Sequence, residues 1–213
     1  MADREIVGAG KTSKPNANGL SRVSDAHDAY GELLGRQDRG IPRLIHRIWL
    51  DQILPEPFKL WGDAWEELNP DWVLMQWGDS AALKDIPFLR PDLLARAKEI
   101  IPNDWRRFQA DVLRLELLYL YGGVYVDMDV EPHLPIDPFL SGRRGVLVAR
   151  SPNATATGYH AITNCFMAAE PGHPYIKALI DHLDEAIERN RGKHLAPMIG
   201  PWHLALTYTP DAF

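Results

Sequence analysis

A chain of 213 residues with 46% hydrophobic and 24% charged residues has enough apolar mass for one sizeable core and falls within the size of a single domain. Its formal net charge of −6 argues against nucleic acid as the main partner, which would require a broad basic surface. One cysteine, Cys165, excludes an intrachain disulfide and fits a reducing, cytoplasmic setting. No stretch approaches the roughly 18 uninterrupted apolar residues of a transmembrane segment, and the N-terminus lacks a signal-peptide core.

Residues 1–19 are rich in Gly, Ser, Asn, Lys and Pro and read as an arm, followed by a short amphipathic helix from Ser24 to Leu34. Residues 1–40 are therefore expected to be an appendage and residues 41–213 the domain. Gly10, Lys11 and Thr12 imitate the end of a phosphate-binding loop, but Glu5 occupies the position of its first glycine and Pro15 opposes the helix that must follow.

Leu44 to Leu50 is β-branched and aromatic, which predicts a strand buried on both faces. Phe58, Trp61, Trp65 and Leu68 recur at helical spacing after Pro55 and Pro57, and read as core residues of a helix. Trp72 to Trp77 is a second strand. Asp92 to Ile100 reads as a helix capped by its own aspartate, and Asn103 or Asp104 caps a long helix running to about Tyr121. After Gly122 and Gly123, Val124 to Val130 reads as a strand. Further strands are predicted at Gly145–Arg150 and His160–Met167, a helix at His173–Arg189, and a short apolar run at Trp202–Tyr208 that would suit a homodimer. Alternation of strands with helices predicts an α/β fold with a mostly parallel sheet, which binds ligands at the carboxyl ends of its strands.

The least comfortable charges lie between Ala110 and Val130. Asp111 and Arg114 are three residues apart on one face of a helix that is apolar on two others, and buried charges are costly unless paired or used. In an extended strand, Tyr125, Asp127 and Asp129 point to one side and Val124, Val126, Met128 and Val130 to the other. Two carboxylates on one face at a strand end suit a hard cation such as Mg²⁺ or Mn²⁺, which takes one or two carboxylates plus substrate phosphates. A lone Asp-x-Asp is a weak signal, so its weight comes from the strand end, the glycine turn and the adjoining ion pair. Asp111 and Arg114 read either as a structural ion pair or as donors and acceptors for a sugar or diphosphate. His46, inside the first strand, reads as a satisfied core residue. Neither a zinc-protease pattern nor a nucleophile elbow is present.

Five blocks in order, IPRLIHRIWL, NPDWVLMQWGD, FQADVLRLELLYLYGGVYVDMDVEP, TNCFMAAEPGHP and GPWHLALT, resemble the DXD-containing sugar-transferase family, over roughly residues 41 to 208. That family includes yeast-type initiating mannosyltransferases and is related to the catalytic domain of large glucosylating bacterial toxins. The resemblance implies a GT-A fold and a metal-dependent, retaining glycosyltransferase using a UDP- or GDP-sugar, with Mn²⁺ or Mg²⁺ as cofactor. It implies that Ile48 and Trp49 line the nucleoside pocket, Trp49 stacking on the base. It further implies that Asp111 and Arg114 hold the donor sugar, Tyr125 lies near the nucleotide, Asp127 contacts donor and metal, Asp129 binds the metal, and Asn164 approaches the sugar. Two departures stand out: Ile199 precedes Gly200 and Pro201 where the family has Thr, and the sequence stops at Phe213 where relatives continue. The expected site is therefore open, completed by another subunit, or defective. Two other readings stay open. One is a phosphohydrolase or phosphotransferase with Asp127 as nucleophile and Asp129 as acid, although Glu131 stands where that chemistry expects Thr or Val. The other is a non-catalytic nucleotide-sugar-binding module.

Overall fold

The computed structural model describes residues 40–50, 52–78, 82–154 and 160–191. The expected arm, the Ser24–Leu34 helix, the Ile199–Pro201 departure and the Trp202–Tyr208 run lie outside them.

Strand β1, Leu44–Ile48, is buried at every position, as a β-branched central strand should be. It pairs in parallel with β2, Val73–Trp77, on one side and with β3, Gly123–Val126, on the other. Helix α1, Glu56–Leu68, connects β1 to β2. Its prolines at 55 and 57 fall at the start, where a missing amide costs nothing, and Asn69 closes it by donating to the Trp65 carbonyl at 2.9 Å. Trp65 is buried, while Phe58, Trp61 and Leu68 are half-buried, so only part of the expected aromatic core of α1 is enclosed.

Helices α2, Pro91–Ile100, and α3, Trp105–Tyr121, precede β3. The expected Asp92 cap is not formed: Pro91 occupies the first turn, and Asp92 pairs with Arg90. Instead, the fully buried Glu116 of α3 accepts from the amides of Leu89 and Arg90 at 3.0 and 2.7 Å. Asp104 does occupy the N-cap position of α3, without a side-chain cap bond.

The chain turns from α3 into β3 through Gly122 and Gly123, with φ of 64° and 92°. A Cβ on Gly122 would lie 2.7 Å from Pro171, and one on Gly123 would lie 2.6 Å from the Leu44 carbonyl, so both positions require glycine for backbone angle and for space. Helix α4, Asp137–Leu140, follows β3. Then come β4, Val146–Ala154, and β5, His160–Ala169, and finally α5, Pro174–Asp181, and α6, Leu183–Arg189. The single helix expected over His173–Arg189 is broken at His182.

The sheet order is β2-β1-β3-β5-β4, and it is mixed rather than mostly parallel. The β1, β2 and β3 half is parallel; β5 runs antiparallel to both β3 and β4. Residues 155–159, the whole connection between β4 and β5, are too few for the crossover that a parallel pair needs. The two faces of the sheet carry separate apolar clusters. Leu44, Ile48 and Tyr125 pack with α2, α3 and α5, while Ile45, Val124 and Val126 pack with Trp65 of α1 and Leu140 of α4. Among the described residues no helix is long and apolar enough to cross a membrane.

Candidate active site at the carboxyl end of the parallel strands

β3 ends at Val126, not Val130. The Asp127 amide still bonds the Cys165 carbonyl of β5 at 2.8 Å, but the Val130 amide returns to the Asp127 carbonyl at 3.1 Å, so residues 127–130 form a turn. The strict alternation expected for Asp127 and Asp129 is thereby lost. Asp127 is half-buried against the sheet, and Asp129 stands exposed beyond it.

On the α3 side, the expected residues converge. Arg114 Nη2 lies 2.6 Å from Asp111 Oδ1 and 3.3 Å from Asp127 Oδ1, and Arg114 Nη1 donates to the Asn164 carbonyl at 2.6 Å. The Asn164 amide donates to Asp111 Oδ1 at 3.1 Å. The Tyr125 hydroxyl donates to Asp127 Oδ1 at 2.6 Å, and the Arg114 guanidinium carbon lies 4.4 Å from the Tyr125 ring centre, a cation–π contact. Thus one helix, one strand end and the incoming stretch of β5 supply five groups to one knot.

The electrostatics follow from burial. Removal from water pushes the Asp111 carboxyl above its ordinary range, against the pull of Arg114, and Asp127 pushes the same way. Burial alone would lower the Arg114 guanidinium, but Asp111, Tyr125 and Asp127 outweigh it and hold it firmly charged. Burial likewise keeps the Tyr125 phenol protonated, which makes it the donor in its bond to Asp127. Arg114 Nε has no hydrogen-bond partner among the described residues.

Two further expected residues sit at the end of β1. Ile48 is buried in the main core cluster. Trp49 is half-buried; its ring meets Phe58 edge-on at 5.2 Å, and Phe58 in turn lies 5.5 Å from Trp61. These rings form an aromatic ledge on the same edge of the sheet as Asp127, since β1 and β3 are parallel.

As a cation site the turn offers two carboxylates. Asp127 uses the same oxygen, Oδ1, for both of its side-chain contacts, and Asp129 is open. With one Arg114 charge shared between Asp111 and Asp127, the group as a whole is net negative. That donor set fits Mg²⁺ or Mn²⁺ completed by substrate phosphates better than an all-protein cage. Among the described residues there is no cluster of three or more His, Cys, Asp or Glu side chains to make such a cage.

The family described as "Glycosyltransferase sugar-binding region containing DXD motif" matches residues 55–145, which include α1, α3 and the whole Asp127–Asp129 turn. This segment thus matches the DXD-containing sugar-transferase family. Inositol phosphoceramide mannosyltransferase 1 of Schizosaccharomyces pombe is 30% identical over 204 residues, covering 93% of this chain and 59% of the relative. The chain therefore spans somewhat over half of that relative's length. Two solved structures share the fold. The PaToxG glycosyltransferase superposes with a TM-score of 0.58 at 18% identity, covering 85% of this chain and 74% of that one. The UDP-bound glycosyltransferase domain of the YGT toxin gives 0.53 at 12% identity, covering 79% and 77%. A mixed sheet with helices on both faces is the GT-A arrangement of such domains.

Two polar residues of β1 reach the elements that build this site. His46, fully buried, makes the satisfied core contacts expected of it, but those contacts are specific: it bonds the Gly122 carbonyl through Nε2 at 2.9 Å and accepts from Trp77 Nε1 at 3.2 Å. Arg47, 1% exposed, donates to the Met128 carbonyl between the two aspartates. The signal for Arg47 was available: a cation inside a strand otherwise apolar is as anomalous as Asp111 and Arg114.

Proposed function

We propose that the chain carries the donor-binding and catalytic region of a metal-dependent glycosyltransferase that moves a sugar from a UDP- or GDP-sugar to an acceptor with retention. The observation that carries this reading is the Asp111–Arg114–Asp127 knot beside an exposed Asp129, at the carboxyl end of parallel strands. Trp49 stacks on the base with Ile48 behind it, and Tyr125 lies near the nucleotide. Asp111 and Arg114 hold the donor sugar, with Asn164 fixing Asp111. Asp127 and Asp129 hold the cation, Asp127 also contacting the donor. A bound Mn²⁺ or Mg²⁺ supplies charge neutralisation for the departing diphosphate. Arg114, kept charged in a largely dry setting, adds a fixed positive charge beside the leaving group, which is electrostatic catalysis rather than proton transfer.

Asp127 Oδ1 is engaged by Tyr125 and Arg114, and retention is assigned to front-face attack without a protein nucleophile. The name of the fission-yeast relative puts mannose first among donor sugars to test and inositol phosphoceramide first among acceptors. A thermal-shift panel of UDP- and GDP-sugars, with and without Mn²⁺, tests nucleotide, sugar and metal together. Stabilisation by a nucleotide sugar only when Mn²⁺ is present is expected. Equal behaviour with and without the metal across the panel would overturn the proposed cation site.

A further inference from the structure

Arg47 is the charged group that the donor-site reading leaves without a purpose. It lies in β1 on the face it shares with Ile45, toward α1, and opposite the face that carries His46 and α3. It is 1% exposed and forms no ion pair with a carboxylate among the described residues, although the Asp63 charge acts on it from further off. Burial lowers its guanidinium to about 10. An apolar side chain of similar volume would fill this place at less cost, so mere filling does not account for an arginine.

Its contacts are with backbone. One Nη nitrogen donates to the Phe58 carbonyl at 3.1 Å and to the Met128 carbonyl at 3.0 Å. Phe58 is the middle ring of the Trp49–Phe58–Trp61 ledge, and Met128 is the residue between Asp127 and Asp129. Gly62 of α1 makes room for this: a Cβ there would lie 2.6 Å from the other Nη nitrogen. Two more contacts tie the turn to the same side, Gln76 Nε2 to the Met128 sulfur at 3.7 Å and Trp65 Nε1 to the Val130 carbonyl at 3.0 Å.

The geometry points to Arg47 as a positioning residue of the donor site, which locks the Asp127–Met128–Asp129 turn to the first turn of α1 and so sets the cation carboxylates in register with the aromatic ledge. The inference rests on the donor-site reading above. Arg114 and Tyr125 hold Asp127 from the α3 face; Arg47 holds the next carbonyl from the α1 face. With that carbonyl released, the Met128 peptide can rotate and carry Asp129 away from Asp127. Gly62 belongs to the same device, because a larger residue there displaces the guanidinium without removing it.

The test uses the full chain and the variants Arg47→Met, Arg47→Lys and Gly62→Ala. Mn²⁺ is titrated by calorimetry in the presence of UDP and, separately, GDP. Hydrogen exchange is followed by mass spectrometry over residues 126–130, with residues 113–118 of α3 as reference. Arg47→Met and Gly62→Ala are expected to weaken Mn²⁺ binding by about 10-fold, as loss of groups that orient ligands commonly does. They are also expected to speed exchange in the turn more than in α3, and Arg47→Lys to restore part of both. Mn²⁺ binding within about twofold of wild type in both variants, or exchange rising equally in turn and helix, would overturn the inference and leave Arg47 a structural residue. If wild type binds no Mn²⁺ with either nucleotide, the donor reading fails by itself, and the exchange comparison still decides whether Arg47 holds the turn. Should Arg47→Met not fold, Gly62→Ala and Arg47→Lys carry both measurements.

Discussion

Acid should weaken this fold through one histidine in particular. His46 sits against the glycine turn that starts β3, its two ring nitrogens committed: Nε2 donates to the Gly122 carbonyl and Nδ1 accepts from Trp77 Nε1. A second proton would remove the acceptor that Trp77 uses and bury a charge, and burial accordingly lowers the imidazole from 6.5 to about 4. The unfolded chain takes up that proton near 6.5, whereas the folded chain resists it until about 4. Stability contributed by neutral His46 is therefore complete above the unfolded value, declines as pH falls between the two, and is fully lost below the folded one. Full protonation costs about 3 kcal/mol, of which about 2 kcal/mol falls between about pH 7 and about pH 5. That is a large share of a typical folding stability of about 5–15 kcal/mol. The assay is urea unfolding followed by tryptophan fluorescence, comparing wild type with His46→Gln, whose amide can donate to Gly122 and accept from Trp77 but does not titrate. Other acids and histidines cancel in the difference between the two proteins. The wild type should lose about 2 kcal/mol relative to the variant over that range. A difference that stays flat with pH refutes the argument that burial holds His46 neutral.

Two other substitutions separate shape from chemistry. Gly123→Ala puts a Cβ 2.6 Å from the Leu44 carbonyl at a φ of 92°, so urea unfolding should show a loss of about 2–4 kcal/mol, and a loss under about 1 kcal/mol would mean that the β1–β3 spacing is softer than drawn. Asp129→Ala removes an exposed carboxylate, so stability should stay within about 0.5 kcal/mol of wild type. Metal-dependent transfer or hydrolysis of the donor sugar should nevertheless be abolished, and undiminished turnover would sink the proposed role of the turn.

Much of the layout was legible because the signals were local. The β-branched and aromatic runs of β1 and β2, the prolines before α1, and the glycine pair after α3 each act within a few residues, and each marks the element that forms. Strand direction was not legible from composition. Nothing in HAITNCFM says that β5 runs against β3; only the short connection to β4 hints at it. The end of β3 misled for a different reason. VYVDMDV alternates throughout, but alternation only licenses a strand, and the ladder stops where the Val130 amide turns back on Asp127. Asp92 was a reasonable cap by residue type, yet the amides just before α2 are met by Glu116, 26 and 27 positions away, a partner no local rule can supply. For the candidate site the signals were charge in an apolar helix, which singles out Asp111 and Arg114, and paired carboxylates at a strand end, which single out Asp127 and Asp129; the structure brings Asp111, Arg114 and Asp127 into contact. Applied evenly, the first of these criteria would have picked out Arg47.

The two arginines that meet the turn differ in a way that decides which residue best reports on it. Arg114 is paired with the buried Asp111 and the half-buried Asp127, so removing Asp127 would change the charge balance of that ion-pair group as well as take away a proposed cation ligand. Loss of activity in such a variant could come from either cause. Arg47 touches only carbonyls in this turn, so its removal alters where the turn lies and leaves every carboxylate in place. Asp129 touches neither arginine, and its removal takes away a proposed ligand without disturbing the ion pair or the turn. Comparing Asp129→Ala with Arg47→Met therefore separates the charge that a cation needs from the shape that presents it. If both depress Mn²⁺ binding while the Asp111–Arg114 pair is untouched, the weak point of the site is the four-residue turn after β3, not the helix behind it.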